Sequence, residues 1–465
     1  MEKRIGDVLT ARRDLLKLGG YGLLAAFADQ ALLPVQARAY GKAQPRGTAR
    51  FCIVVELAGA ISHTDTFDFK ENAGTPKDLD VRKVRDDLYL SHTLFPELST
   101  EMNDVAIVRS MWSHEVVHFR GQYYTQAGRP YNPAQAPEIP SVGSVVAYEL
   151  ESQRLPTDTF PTYIGCNLDT SGCGALSTGF LHPRFSVLDV NLKAGIGGVA
   201  VDGDALLLLQ ERYRLLSQLE EAMAPTRSGR DRTFTSFRSF QENAYGILQD
   251  PRWPKVFQIA PEERTRYGDT EVGLGCLLAR NVVRADAGTR YVHVVQPGWD
   301  HHKNIFERAS KDNHYQHCAD MDKAVANLLR DLRSTQSPSD KSKTLLDETM
   351  VAVITEFGRV PGPLNGVKGR HHYNKAYVAL FAGGSVKGGR ILGKTDASGE
   401  KILDSGWAHK TPVKTENLYA SIYSALGIDW KKEIADTPSK RIYRYVDMLG
   451  ATEFLVNDEI ASLFV

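Results

Sequence analysis

Apolar runs alternate with helix-periodic segments along most of the chain beyond residue 50. Phe51–Leu57 (FCIVVEL) is a continuous apolar run that stops at Ala58-Gly59-Ala60, the pattern of a short strand buried on both faces. Similar runs at 105–108, 162–165, 291–295, 350–354 and 377–381 predict five more strands. Helical spacing governs 204–223, 272–283 and the stretch in which Cys318, Met321, Val325, Leu328, Leu329 and Leu332 fall on one face. A last helix is predicted over 415–426, with Thr415 as N-cap and Gly427 as the stop. Strands alternating with helices predict an α/β fold, a three-layer α/β/α sandwich around a mostly parallel sheet. No internal repeat or low-complexity linker divides the chain. Residues 40–465 therefore read as a single domain, with the irregular stretch at about 166–260 as an insertion or cap.

The first 39 residues follow a different pattern. Basic residues at Arg12, Arg13 and Lys17 precede a weakly apolar, glycine-bearing run to Leu33, then Pro34 and the small-residue pattern Ala37-Arg38-Ala39. That order is an export signal, and the paired arginines favour the twin-arginine route, with its export machinery as a partner. Ala11 and Leu15 stand where Ser or Thr and Phe are usual. The apolar run is short and carries Asp29, which argues against a permanent membrane span. The expected location is periplasmic or extracellular, where a bridge between Cys166 and Cys173 would persist.

Composition narrows the function. Of 465 residues, 56 are Lys or Arg and 56 Asp or Glu, with 42% hydrophobic content and five cysteines. A charge-balanced chain lacks the basic footprint of a nucleic-acid binder, and five cysteines are too few for a disulfide scaffold. Positions 1–39 hold six basic and four acidic residues, so the remainder carries 50 against 52, a net charge of −2. An anion site must then be a local pocket.

In a parallel α/β sheet, ligands bind beyond the carboxyl ends of the strands. Four polar clusters follow predicted strands: Ser62-His63-Thr64-Asp65, Asp300-His301-His302, Thr355-Glu356-Phe357-Gly358-Arg359 and, shortly afterwards, Arg370-His371-His372. Imidazole and carboxylate together suit a divalent transition metal, with Zn or Mn favoured. Asp300, His302, Glu356 and His372 are the expected ligands, and the ion would polarise an ester oxygen and lower the pKa of water. Arg359 and Arg370 would pair with a phosphate or sulfate oxygen, and Ser62 is the candidate nucleophile. His114 and His118 follow the second strand toward the same site, and His118 joins the catalytic candidates. His301 is expected to be exposed, and His314 and His317, one turn apart, read as surface histidines or a metal pair.

At these residues the sequence resembles a bacterial family of exported proteins, domain of unknown function 1501, itself similar to the alkaline phosphatase and sulfatase superfamily in its core. SHTDTFD at 62–68, VRSMWSH at 108–114, PSVGSVVAYEL at 140–150, GWDHH at 298–302, TEFGR at 355–359, GRHHY at 369–373 and the C-terminal PVKTENLYASIYSALGID carry the resemblance. It implies an alkaline phosphatase-like fold, with Asp300, His302 and His372 at ligand positions. It also implies two metals beside a Ser or Thr nucleophile, and here the chain departs from the pattern. Ala58 follows the first strand with Glu56 two positions earlier, Glu356-Phe357 stands where an Asp-His pair would be, and His371 replaces an Asp. Two readings stay open: a metal-dependent hydrolase of small phosphate or sulfate esters, or an exported binding or accessory protein without turnover.

Overall fold

Along Phe51–Leu57 (β1), Phe51, Ile53, Val55 and Leu57 enter one apolar layer while Cys52 and Val54 enter a second on the opposite face. Side chains alternate across a strand, so an unbroken apolar run requires both faces to be covered. The computed structural model describes residues 42–192, 203–223, 241–242, 244–447 and 456–465; the expected export signal lies outside them. Within 43–465, β1 is joined in one eight-stranded sheet by β2 (Val105–Met111), β3 (Tyr163–Cys166), β4 (Leu188–Val190), β5 (Tyr291–Gln296), β6 (Thr349–Ile354), β7 (Tyr377–Ala382) and β8 (Ile391–Leu392). Their order is β8-β2-β7-β6-β1-β5-β3-β4, and β7 runs antiparallel to both its neighbours while the other strands share one direction. All six predicted strands form. β4 and β8 escaped the pattern because two or three residues are too few to show a period.

Helices cover both faces, which makes the fold α/β. On the Ile53 side lie Glu271–Ala285 and His314–Ser334, whose Leu277, Val282, Met321, Val325 and Leu328 share a core with β1. On the Val54 side lie His118–Ala127, Val142–Leu150 and Thr415–Ala425. We number the helices α1 (His118–Ala127), α2 (Val142–Leu150), α3 (Gly203–Met223, near the predicted 204–223), α4 (Glu271–Ala285), α5 (His314–Ser334) and α6 (Thr415–Ala425). Thr270 and Asn313 cap α4 and α5 by accepting the N–H of Gly273 and Gln316. For α6 the cap is one residue earlier than predicted: Lys414 is the N-cap, and its N–H donates to the Asn417 side chain at 3.0 Å. No helix among the described residues is long and apolar enough to cross a membrane.

Because β1, β2, β5 and β6 run in one direction, their carboxyl ends open on the same edge of the sheet. The loops that follow are 58–62, 112–117, 297–302 and 355–357, and a short antiparallel ribbon of Gly358–Arg359 with His372–Tyr373 folds back over them. Gly59 lets two of these loops touch. It adopts φ +114°, and a Cβ there would lie 2.6 Å from the Asp300 nitrogen and 2.8 Å from Trp299 backbone atoms. Gly59→Ala is therefore expected to lose at least about 1–3 kcal/mol of stability through backbone strain alone, whereas Gly366→Ala, whose added methyl meets open space, should be near neutral. Urea titration of both variants checks this.

Candidate metal centre

Four side chains from three segments meet at that edge: His118 from the first turn of α1, Asp300 and His302 from the loop after β5, and His372 from the ribbon. One ligand atom of each lies within 4.8 Å of all the others, a grouping able to hold a metal ion. Three imidazole nitrogens gather on one oxygen, Asp300 Oδ1: His118 Nε2 and His302 Nε2 at 3.0 Å and His372 Nε2 at 3.5 Å. His302 Nε2 and His372 Nε2 are themselves only 2.8 Å apart.

Two of these rings have their tautomer fixed from behind. His372 Nδ1 donates to the Val116 carbonyl at 2.6 Å, since a carbonyl oxygen only accepts. His118 Nδ1 donates to Glu356 Oε1 at 2.9 Å. In the neutral form with that tautomer, each ring would direct its Nε2 lone pair into the cluster. His118 Nε2 is buried 3.0 Å from the Asp300 carboxylate oxygen. A lone pair against a carboxylate is repulsive unless a cation, proton or metal, stands between. With a proton there, burial lowers the His118 pKa, but the hydrogen bonds and charges of Asp300 and Glu356 outweigh it and raise it to about 9. Asp300 responds in the opposite sense: burial pushes it up, and the His118, His372 and Arg359 hydrogen bonds hold it well below the usual carboxylate range.

The structure places Glu356 behind this group rather than in it. Fully buried, its Oε1 accepts from the Gly59 N–H at 2.8 Å, Gln122 Nε2 at 3.2 Å and His118, and its Oε2 accepts from the Ala60 N–H at 3.2 Å and Thr355 Oγ1 at 3.0 Å. Five donors exhaust the four lone-pair sites of a carboxylate. Glu356 orients His118, and His118 takes the fourth place in the cluster. A glutamine four residues after His118 lies on the same helix face, so Gln122 was findable from its spacing once α1 was recognised.

The other expected site residues are engaged elsewhere. Arg359 is buried; it donates to Asp300 Oδ1 at 2.6 Å and to the carbonyls of Gly59, Ala60, Trp299 and Arg370. Arg370 pairs with both oxygens of buried Asp65, at 2.6 and 2.9 Å, and with the Val360 and Gly362 carbonyls. Both guanidinium groups are committed to the fold, and neither offers a free fork to an oxyanion. Ser62 is 2% exposed and donates its hydroxyl to Asp65, so it belongs to the Arg370 network and not to the cluster. His301 and His314, expected at the surface, are buried around Trp299 together with partly buried His317. Burial lowers the pKa of all three, His314 to about 4, and so favours the neutral imidazoles. His114 packs its ring against Trp112 and Tyr124 and does not join the cluster. Cys166 and Cys173 are free thiols.

Sheet, layers and cluster define an α/β protein with a candidate metal centre at the carboxyl edge of its strands. The model of the family described as Protein of unknown function (DUF1501) matches residues 49–449, and the chain belongs to that family. No curated protein matches it. Among solved structures, the chain is similar to the sulfatase PsFucS1 from Pseudoalteromonas sp. (10% identity, 91% of this chain and 76% of that one, TM-score 0.39). It is also similar to the soluble domain of lipooligosaccharide phosphoethanolamine transferase A from Neisseria meningitidis (10%, 83% and 90%, 0.38) and to an alkaline phosphatase superfamily protein from Vibrio parahaemolyticus (12%, 83% and 70%, 0.35).

Replacing Arg370 by Met would leave the Asp65 carboxylate buried without its counter-charge. Removing one partner of a buried pair costs about 3–5 kcal/mol, and chemical denaturation of Arg370→Met should show a loss of that size.

Proposed function

We propose that this protein is an exported hydrolase of phosphate or sulfate esters that holds one divalent ion, zinc or manganese, on His118, Asp300, His302 and His372. The carrying observation is the convergence of three imidazole nitrogens on Asp300 Oδ1, two of them from rings whose Nδ1 hydrogen is already spent on Glu356 and Val116. A carboxylate or carbonyl behind a ligating imidazole is the usual device for fixing its orientation and raising its basicity. The side chains of Asp300 and His302 stay 46% and 41% exposed, which leaves one side of the cluster open to solvent. Structural metal sites are closed, and catalytic ones keep an open position.

Within this reading each residue has a defined task. His118, Asp300, His302 and His372 would hold the ion, which would supply Lewis-acid polarisation of an ester oxygen. Glu356 holds the His118 ring, and Arg359 fixes Asp300 while offsetting its charge in a desolvated setting. With the Ser62 hydroxyl given to Asp65, water is left as the attacking group. Export by the twin-arginine route belongs to the same proposal and rests on residues 12–39. One observation favours the second reading, an exported binding protein: Ser62, the serine expected as nucleophile, does not face the cluster.

Metal analysis of protein recovered from the exported fraction, combined with a screen of phosphomonoesters, phosphodiesters and sulfate esters, tests both. The expected result is one equivalent of metal with turnover of one ester class. Stoichiometric metal without turnover selects the binding reading, and absence of both removes the site. His372→Ala should abolish stoichiometric metal, and Glu356→Ala should weaken metal affinity by about 10–100-fold, the usual effect of losing an outer-shell partner. Competition with a chelator measures the second effect.

A further inference from the structure

A cavity of about 190 Å³ lies at the other end of α1 from the cluster. His118 is the first residue of that helix and Arg129 follows its C-cap, Gly128, so the helix length, roughly 15 Å, separates the two places. The cavity is walled by Arg129 and the segment after it, by Phe180, and by a two-stranded antiparallel ribbon of Glu433–Ile434 with Tyr443–Arg444. Phe180 and Tyr443 pack edge to face with ring centroids 5.1 Å apart, which ties the ribbon to the rest of the wall.

Arg129 is the buried member of this wall, only 6% exposed. Its guanidinium lies 4.4 Å over the Tyr443 ring and donates to the Arg444 carbonyl, while its Nε is buried without an acceptor. Its carboxylate contact is Asp447 Oδ2 at 3.4 Å, a long ion pair. A desolvated guanidinium is stable only when its charge is matched, and here the match is loose. Arg444, also in the wall, is held by Glu433 at 2.5 Å.

Glu138 and Arg441 line the same cavity, and neither side chain has a hydrogen bond or ion pair. Their backbones are nevertheless anchored: the Glu138 carbonyl accepts from the Phe180 N–H at 3.0 Å, and the Arg441 carbonyl accepts from Thr437 Oγ1 at 2.6 Å. A lone unpaired charge at a surface is ordinary. Two opposite charges on the wall of one small cavity, unpaired with each other and beside an under-matched buried arginine, form a surface complementary to a molecule that carries both signs. A simple anion there would meet the Glu138 and Asp447 carboxylates, and a simple cation would meet the arginines, so like charge disfavours each. The volume holds about six waters at roughly 30 Å³ each, which limits the occupant to a few heavy atoms.

We infer that this cavity is a second ligand site, for a small zwitterion of the α-amino acid class, with its carboxylate toward Arg129 and Arg441 and its ammonium toward Glu138. It is independent of any metal at the His118 cluster.

Calorimetric titration of the full-length protein with glycine, L-alanine and L-serine tests this, with propionate and ethylamine as the forms of alanine that lack the ammonium and the carboxylate. At least one amino acid should bind at one equivalent, and propionate and ethylamine should each bind about tenfold or more weakly than alanine, the effect of losing one charge-assisted hydrogen bond. Glu138→Gln should lower the alanine-to-propionate affinity ratio, and Arg441→Met the alanine-to-ethylamine ratio, each by about tenfold. Both side chains lack partners, so the urea midpoint of each variant should match that of the parent, which separates loss of the site from loss of the fold. Absence of binding by all three amino acids overturns the proposal. So does propionate or ethylamine binding as tightly as alanine, or a pair of ratios that neither substitution changes.

Discussion

The buried guanidinium of Arg359 is the point on which the site depends. It is almost wholly removed from water, and it reaches the carbonyls of Gly59 and Ala60 after β1, Trp299 after β5 and Arg370 at the ribbon, together with the Asp300 carboxylate. Three separate loops are thereby held to one cation. A desolvated guanidinium is costly unless its donors are satisfied and its charge is matched. Asp300 supplies the match, and in doing so its Oδ1 is fixed where the three imidazoles meet it. Arrangement of the loops and arrangement of the ligands are consequences of the same interaction.

A second constraint acts from the opposite face of the sheet. α1 carries Gln122, Thr125 and Gln126 on its buried side, and all three make polar contacts. Thr125 Oγ1 donates to Glu56 at 2.6 Å, Gln122 to Glu356 at 3.2 Å, and Gln126 to the Gly174 carbonyl at 3.0 Å. Glu56 also pairs with His293 on β5 at 2.9 Å, with both groups buried. Buried polar groups with partners rigidify a structure, whereas a half-satisfied network destabilises it. The helix that presents His118 is therefore positioned by hydrogen bonds to the carboxyl ends of β1 and β6 as well as by packing. Glu56, two residues before the loop that follows β1, and Glu356, within the loop that follows β6, are structural supports on either side of it.

The same physics explains what could be read from the sequence. Strands β1, β5, β6 and β7 are six or seven residues long and buried throughout, so their apolar runs stand out against helical segments. α4 and α5 pack one face against the sheet and show the 3.6-residue period. α1 showed neither signal, because HFRGQYYTQA has little apolar periodicity and buries its polar side chains among partners that lie far away in sequence. Strand-end placement singled out Asp300, His302 and His372, which the structure brings within reach of one another at the sheet edge. It could not separate Glu356 from them. A carboxylate just past a strand reads the same whether it points outward to an ion or inward to the N–H groups of Gly59 and Ala60, and only the path of the neighbouring loop decides.

Arginine roles were illegible for a related reason. Arg359 and Arg370 follow glycines in polar loops, the setting in which a guanidinium meets a phosphate, yet each found its anion within the protein, in Asp300 and Asp65. Once both are neutralised internally, the approach of an anionic ligand depends on the charge of the cluster itself. Without an ion, one carboxylate faces three imidazoles and a guanidinium already shared with backbone carbonyls. With a divalent ion, the local charge rises by two in a setting partly shielded from water, where interactions exceed their value in bulk solvent. On the proposed reading, a domain whose own net charge is slightly negative would attract an anion only with a metal in place, which would make the ion a condition for ligand binding as well as for any chemistry.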